Sequence, residues 1–146
     1  MKNIYLGLIG LLLVVVMVSG CTSSSNTTSE TNTQADSTYK TYNGFLTFQY
    51  PESWTINQES PKWVLFNTPM GETRIWLYNT TDSPVKYSVF QEKKIDSTTY
   101  GTKTNTYEDT DDTVSYVIRK NGKDFFMVGV KGQESDYLHI IKTVQF

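Results

Sequence analysis

The sequence predicts an α+β fold: an antiparallel β-sheet with flanking helices, completed by an amphipathic helix near the C-terminus. Between residues 45 and 130, several runs alternate apolar and polar residues, as strands with one buried face do. Asn121-Gly122 separates two of these runs, and this dipeptide in such a position is a strong hairpin signal. Apolar residues then recur at helical spacing, at Tyr137, Ile140, Ile141 and Val144.

The first predicted strand spans residues 45–50. Its alternation places three large residues on one apolar face: Leu46, Phe48 and Tyr50. Asn43-Gly44 before it favours a tight turn, and Pro51 ends the run. Trp54 follows shortly after and resumes the apolar pattern.

Residues 44–51 followed by Trp54 resemble the opening of PsbP-like domains, in which a hydrophobic strand leads into Tyr-Pro and then a tryptophan. The family includes an extrinsic photosystem II subunit and many small prokaryotic lipoproteins. The resemblance implies an α/β/α sandwich for residues 39–146, with later elements in a similar order. It assigns no catalytic residue.

Two tryptophans lie in a predicted strand pair. Residues 62–67 are apolar on both faces, which predicts a central strand covered by helices, and residues 73–78 follow as its hairpin partner. Trp63 and Trp76 could stack on a ligand. We interpret them as core or sheet-surface rings, because tryptophans in paired strands usually have that role.

Residues 83–94 carry conflicting signals. Asp82-Ser83-Pro84 has a cap residue and a proline suited to a first helical turn, whereas residues 85–90 alternate like a strand. The element order of PsbP-like domains favours a short helix ending near Lys94, and we predict that helix. The Thr-rich residues 95–107 then predict an edge strand or a loop.

The C-terminal helix is predicted to begin at a cap formed by Ser135 or Asp136. Its apolar face packs on the sheet, so His139 and Lys142 project toward solvent or the helix flank. His139 is the only histidine, and a lone histidine is more often structural than catalytic or metal-binding. We therefore assign it no role.

The sequence has one acidic cluster, formed by Glu108, Asp109, Asp111 and Asp112. Its alternating carboxylates are similar to those of calcium loops, but no glycine stands at the sixth position and no glutamate at the twelfth. An EF-hand loop is therefore excluded. We interpret the cluster as a solvated turn between strands and predict no metal site.

The N-terminus has the pattern of a signal peptide. Lys2 precedes an apolar run that ends at Val18, and this run of about 15 residues is shorter than the roughly 20 that a transmembrane helix needs. Ser19-Gly20-Cys21 after an aliphatic residue resembles the lipobox of prokaryotic lipoproteins. That resemblance implies cleavage of residues 1–20 and lipid attachment at Cys21. We expect a chain anchored in the cell membrane and facing outside the cytoplasm.

Residues 21–38 contain the single cysteine and a Ser/Thr/Asn-rich segment without large apolar residues. Such a composition cannot offset the entropy of ordering, so we predict a disordered tether. The remaining residues 39–146 suit one domain. Asn26 and Asn79 begin N-glycosylation sequons and are candidate modification sites.

Three functions remain open from the sequence. We favour a non-enzymatic interaction module with a protein partner in or on the membrane, because no cluster of catalytic residues and no nucleotide, zinc-protease or serine-hydrolase motif occurs. The alternative is binding of a small ligand or metal. A surface hydrolase is remote, since any serine triad would need His139. The net charge of −2 without a basic stripe argues against nucleic acid, and we assign no cofactor.

Overall fold

A seven-stranded antiparallel sheet organises the structure, a computed structural model that describes residues 38–106 and 112–146. Its strands, in chain order, are β3 (Thr55–Ser60), β4 (Trp63–Thr68), β5 (Gly71–Asn79), β6 (Gln91–Ile95), β7 (Thr98–Thr106), β8 (Asp112–Lys120) and β9 (Lys123–Val130). Across the sheet they lie in the order β3-β4-β5-β9-β8-β7-β6. The sheet and the helix that packs on it confirm the α+β class.

A hairpin and a helix pack on one face of this sheet. The hairpin consists of β1 (Tyr39–Asn43) and β2 (Thr47–Pro51), and the helix is α1 (Glu134–Thr143). Thr143 joins them, since its hydroxyl accepts a hydrogen bond of 3.0 Å from the backbone N–H of Gln49. Within the described residues, no helix has the length and hydropathy that crossing a membrane requires.

The two predicted hairpins are confirmed. Asn121 and Gly122 have φ of 53° and 71° between β8 and β9, the left-handed geometry that this dipeptide tolerates and a tight hairpin needs. The turn between β4 and β5 is short. Thr68 and Gly71 already pair across the ladder, so only two residues stand at its tip.

The core lies between the sheet, α1 and the hairpin. Leu46, Phe48 and Tyr50 are buried together, as their alternation predicts. Trp54 is 0% exposed, with its ring centroid 5.7 Å from that of Phe66. The other large buried side chains come from the sheet and from α1: Val64, Ile75, Tyr100, Tyr116, Phe125, Met127, Tyr137, Ile140 and Ile141. Aromatic rings therefore supply most of the apolar area that stabilises the domain.

Tyr137 fixes the position of α1 on the sheet. Its buried hydroxyl donates to the carbonyl of Val130 at 2.8 Å and lies 3.2 Å from the hydroxyl of Thr73. Gly129 makes this approach possible, because a Cβ at that position would overlap the Tyr137 hydroxyl. Burial raises the pKa of Tyr137 to about 12, so the hydroxyl stays protonated and can donate.

The helix predicted over residues 83–94 is wrong. A 3-10 turn at Tyr87–Val89 precedes strand β6, which pairs with β7 at the edge of the sheet. Pairing with β7 satisfies the backbone groups on one side of Gln91–Ile95, and Phe90 packs against Phe126 with ring centroids 6.2 Å apart. The predicted edge strand or loop at residues 95–107 is consequently an interior strand, β7, with β6 outside it.

Two further predictions need correction. Strand β4 is second from the edge of the sheet rather than central, and α1 and the hairpin cover only one of its faces. The cap residue of α1 is Gln133, without a side-chain cap bond, in place of Ser135 or Asp136. The Glu134 carboxylate instead accepts the N–H of Gly132 at 3.0 Å, and Asp136 lies in the first turn and accepts the Tyr39 hydroxyl at 3.3 Å.

Candidate functional site

The face of the sheet opposite α1 carries large side chains that no α-helix covers in the described residues. We call this surface the open face; its residues are Trp63, Leu65, Arg74, Trp76, Phe126 and Val128. They alternate with core residues along β4, β5 and β9, as successive side chains of a strand do. The strand pairing sets Trp63 opposite Trp76, and Trp76 opposite Phe126. Trp63, Trp76 and Phe126 are half-buried.

Arg74 lies against both tryptophans of the open face. Its guanidinium carbon is 5.5 Å from the ring centroid of Trp63 and 5.6 Å from that of Trp76, within the range of cation–π attraction. No carboxylate of the described residues lies within 4.0 Å of it. Its Nε is buried without a hydrogen-bond partner. Arg74 is thus held in place and still lacks an anion.

Aromatic stacking holds Trp76 in position. Its ring stacks on Phe126 with centroids 5.5 Å apart and planes 23° from parallel, and Phe90 meets Phe126 edge-on. At least one side of each indole is therefore already in contact with a neighbour. Trp76, Phe126 and Phe90 therefore form one packed set of rings on the open face.

Two shallow recesses lie on this side of the sheet. The first, about 270 Å³, is lined by Leu65, Glu72, Arg74, Trp76 and Val128. The second, about 300 Å³, lies between the segment before β6 and strands β7–β9; Lys86, Phe90, Lys103 and Phe126 are among its lining residues. Three cations and one carboxylate line the two recesses, and none of them forms an ion pair with a described residue.

The second arginine of the chain contrasts with Arg74. Arg119 donates two hydrogen bonds to Asp124, from Nε at 2.7 Å and from Nη2 at 2.8 Å. The Asp124 side chain is 0% exposed, and the bond from Arg119 is the largest cause that lowers its pKa. On this side of the sheet, Arg119 therefore has a carboxylate partner and Arg74 has none among the described residues.

Several predicted site residues lie outside the described residues: Cys21, Asn26, Glu108, Asp109 and Asp111. Asp112 begins β8 and pairs with Lys131 at 3.5 Å. Asn79 ends β5, where its side chain donates to Asp82 at 3.2 Å and accepts from Lys123 at 2.8 Å. Within the described part of the chain, no group of three His, Cys, Asp or Glu side chains is placed to hold a metal ion.

His139 has two neighbours on the hairpin. Its Nε2 lies 2.9 Å from Oε1 of Gln49, and its ring stacks on Tyr39 with centroids 3.6 Å apart. Burial is the main cause that lowers its pKa, followed by the charge of Lys142. The histidine thus contacts an amide and a phenol instead of the serine that a hydrolase triad requires.

A larger groove lies on the other side of the sheet. Its volume is about 420 Å³, and it runs between α1 and strands β6–β8. Tyr100 and Tyr116 line it together with Lys93 and Glu134. Burial raises the pKa of Tyr116 well above its usual range, so its hydroxyl remains a hydrogen-bond donor.

Sequence reasoning missed Arg74. The period of two along β5 does place Arg74 and Trp76 on the same face, and this was the available signal. The sequence does not show which face of the sheet α1 leaves uncovered. It therefore could not predict that Arg74 lies on that face without a carboxylate partner among the described residues.

No family model and no curated protein matches the chain. A protein of Bacteroides thetaiotaomicron with a known crystal structure is similar at 16% sequence identity and a TM-score of 0.48. The alignment covers 69% of this chain and 44% of that protein, so this chain spans less than half of its length. At this level of similarity, no function passes from that protein to this chain.

Proposed function

We propose that the chain is a membrane-anchored, extracytoplasmic lipoprotein whose domain is a non-enzymatic interaction module of PsbP-like fold. The module binds a protein partner in or on the membrane through the open face. One observation carries the proposal: Arg74, with no carboxylate partner among the described residues, lies against Trp63 and Trp76 on the face that α1 does not cover.

The composition of the open face supports a protein partner. Tryptophan and arginine are the residues most enriched among those that dominate binding energy at protein interfaces. Here they already pack on one another before binding, because Trp76 stacks on Phe126 and Arg74 lies against both indoles. Ordering such a surface on association costs little conformational entropy.

The location and the family rest on the sequence. Ser19-Gly20-Cys21 supports lipid attachment at Cys21, and the predicted tether would separate the domain from the headgroups. The strand that leads into Tyr50-Pro51, with Trp54 buried behind it, supports the PsbP-like assignment. The antiparallel sheet with one C-terminal helix is compatible with the α+β class, whereas the helix on the second face that an α/β/α sandwich has is absent from the described residues.

Site-specific photo-crosslinking in intact membranes tests the interaction. A photoreactive phenylalanine analogue replaces Trp63 on the open face or, as a matched control, the exposed Lys120 at the end of β8. We expect one discrete protein adduct from position 63, none from position 120, and loss of the adduct when Arg74→Gln is added. Equal adducts from both positions, or no adduct from either, would contradict the proposal.

The groove beneath α1 favours a second candidate function. Its volume of about 420 Å³ lies within the usual 300–1,000 Å³ of small-ligand sites, and tyrosines line it together with charged side chains. A screen of small polar metabolites by thermal shift on the full chain tests this function. A ligand whose stabilisation disappears in Tyr100→Phe with Tyr116→Phe would make small-molecule binding the primary role.

A further inference from the structure

The electrostatics of the open face define the chemistry of its partner. Arg74 has a guanidinium oriented by two indoles, an Nε without an acceptor, and no carboxylate of the described residues within 4.0 Å. The planar guanidinium fork matches a carboxylate, with which it can form two parallel hydrogen bonds. Because Nε is buried, an external carboxylate would bind the terminal nitrogens of the guanidinium, where it would supply an acceptor that the described residues do not.

A second cation lies in the same cross-strand row as Arg74. Strand pairing connects Arg74 to Val128, Val128 to Ser115, and Ser115 to Lys103. Three strand intervals of about 4.8 Å place the Cα atoms of Arg74 and Lys103 about 14 Å apart. Lys86 lines the recess beside Lys103, which adds positive charge there. The net charge of the chain is −2, so this local excess of cations is not a property of the whole protein.

The contacts that the indoles already make favour a protein partner over a glycan. A glycan platform stacks on an open indole face, whereas Trp76 is already contacted by both Phe126 and Arg74, and Trp63 is contacted by Arg74. Glu72 lines the same recess as Arg74 and would repel the phosphates of an anionic membrane. A polypeptide can direct one carboxylate at Arg74 and keep apolar atoms near Glu72, so it fits this arrangement better.

Resting on the proposed interaction function, we propose that the open face binds an extended acidic segment of a partner protein, with Arg74 as its anchor. An extended chain rises about 3.3 Å per residue, so residues four positions apart are separated by about 13 Å, close to the separation of about 14 Å between the Cα atoms of Arg74 and Lys103. Side chains four positions apart in an extended segment point to the same side. The segment therefore carries an Asp or Glu at each end of a five-residue stretch, with an apolar residue at its centre over Val128 and Phe126.

Panning a displayed library of random dodecapeptides on the full chain, purified in detergent, tests this inference. We expect selected peptides to share two acidic residues four positions apart with an aromatic or aliphatic residue between them. Fluorescence anisotropy of a labelled selected peptide should show binding at least tenfold weaker to Arg74→Gln and several-fold weaker to Lys103→Gln. Lys142→Gln on α1 is the matched control and should bind as the wild type does, because that residue lies on the other side of the sheet.

The variant Arg74→Lys distinguishes a loss of binding from a loss of folding. It keeps the charge but cannot form two parallel bonds to one carboxylate, so we expect several-fold weaker binding with an unchanged unfolding temperature. Selected peptides that lack acidic residues, or that bind Arg74→Gln as tightly as wild type, would overturn the inference. Acidic peptides that bind a different surface of the chain would also overturn the inference, but they would not contradict the proposed interaction function.

Alternative occupants give distinct readouts on the same protein. Arg74-dependent binding of polygalacturonate or of phosphatidylglycerol vesicles, without selection of acidic peptides, would replace the protein segment by a glycan or a membrane. Concentration-dependent dimerisation in sedimentation velocity that Arg74→Gln abolishes would make a second copy of this chain the occupant. Each of these results overturns the inference.

Discussion

At the scale of single residues, Asp124 is the buried charge that the open side of the sheet must neutralise. Its carboxylate is fully buried and accepts two hydrogen bonds from Arg119. Arg119 is 39% exposed, so solvent screens part of its charge. The pair is therefore best understood as the compensation of a buried carboxylate rather than as a large net stabilisation.

This arrangement predicts a specific acid sensitivity. The pKa of Asp124 is lowered below its unfolded value of about 3.9, mainly by the bond from Arg119. Its stabilising contribution is complete above that unfolded pKa and is lost as pH falls through the folded pKa. We expect the free energy of unfolding, measured with urea between about pH 5 and pH 2, to fall more steeply in wild type than in Asp124→Asn.

Arg119→Gln provides the complementary measurement. It leaves Asp124 buried with a weaker partner, so we expect a loss of about 1–3 kcal/mol at neutral pH, less than for a fully buried pair because Arg119 is partly exposed. Its acid slope should be no steeper than that of Asp124→Asn, because burial without Arg119 raises the pKa of Asp124 and favours the neutral carboxyl as pH falls. Parallel pH curves for all three proteins would show that the ion pair does not set the acid sensitivity.

What the sequence reveals about a residue depends on whether its environment is local. Asn121-Gly122 predicts its hairpin because these two residue types tolerate the positive φ angles that the turn requires. The environments of Arg74 and Asp124 depend on strand register: Arg74 meets two indoles but no carboxylate among the described residues, and Asp124 meets Arg119 because β8 pairs with β9. Charged residues in strands give no sign of that register in the sequence.

At the scale of elements, the contact between α1 and β9 depends on one glycine. The Tyr137 hydroxyl reaches the backbone of Val130 across the space above Gly129. Buried hydroxyl groups need such partners, because leaving one unsatisfied costs about 1–3 kcal/mol. The absent Cβ of Gly129 therefore sets the distance between helix and sheet.

Gly129→Ala should consequently destabilise the domain by about 1–3 kcal/mol, the range for overpacking a dense core. Chemical denaturation of the single and double variants with Tyr137→Phe measures the coupling. Removing the hydroxyl relieves part of the overlap, so the double variant should be more stable than the sum of the two single effects predicts. Additive effects would mean that the helix shifts freely to accept the methyl group.

The incorrect helix at residues 83–94 shows where local signals fail for a whole element. Ser83-Pro84 suits a helix start, but pairing with β7 and the packing of Phe90 on Phe126 favour the extended form. Strand β6 is mostly exposed, so its sequence lacks the apolar alternation that reveals β2. An edge strand of this kind is recognisable only once its neighbour is known.

At the scale of the whole molecule, the two faces of the sheet differ. One face packs against α1 and the hairpin, and its core was predictable from the spacing of Leu46, Phe48, Tyr50 and the residues of α1. The other face was predicted to be covered as well, since residues 62–67 are apolar on both sides. Leu65 lies on this second face and is buried although no helix of the described residues covers it. A strand with apolar residues on both faces therefore does not require helices on both faces.

The proposed anchor predicts how the whole chain is held at the membrane. A thioether-linked diacylglycerol at Cys21 would contribute about 0.8 kcal/mol for each buried CH₂, and the net charge of −2 gives the chain no electrostatic attraction to anionic lipid. Cys21→Ala should therefore abolish incorporation of labelled fatty acid and leave the precursor uncut, as gel mobility and N-terminal sequencing would show. Ser23→Ala, two residues further along, is the matched control and should be labelled and processed normally. Cleavage of Cys21→Ala at the same position, with retention in the detergent phase, would refute lipid attachment.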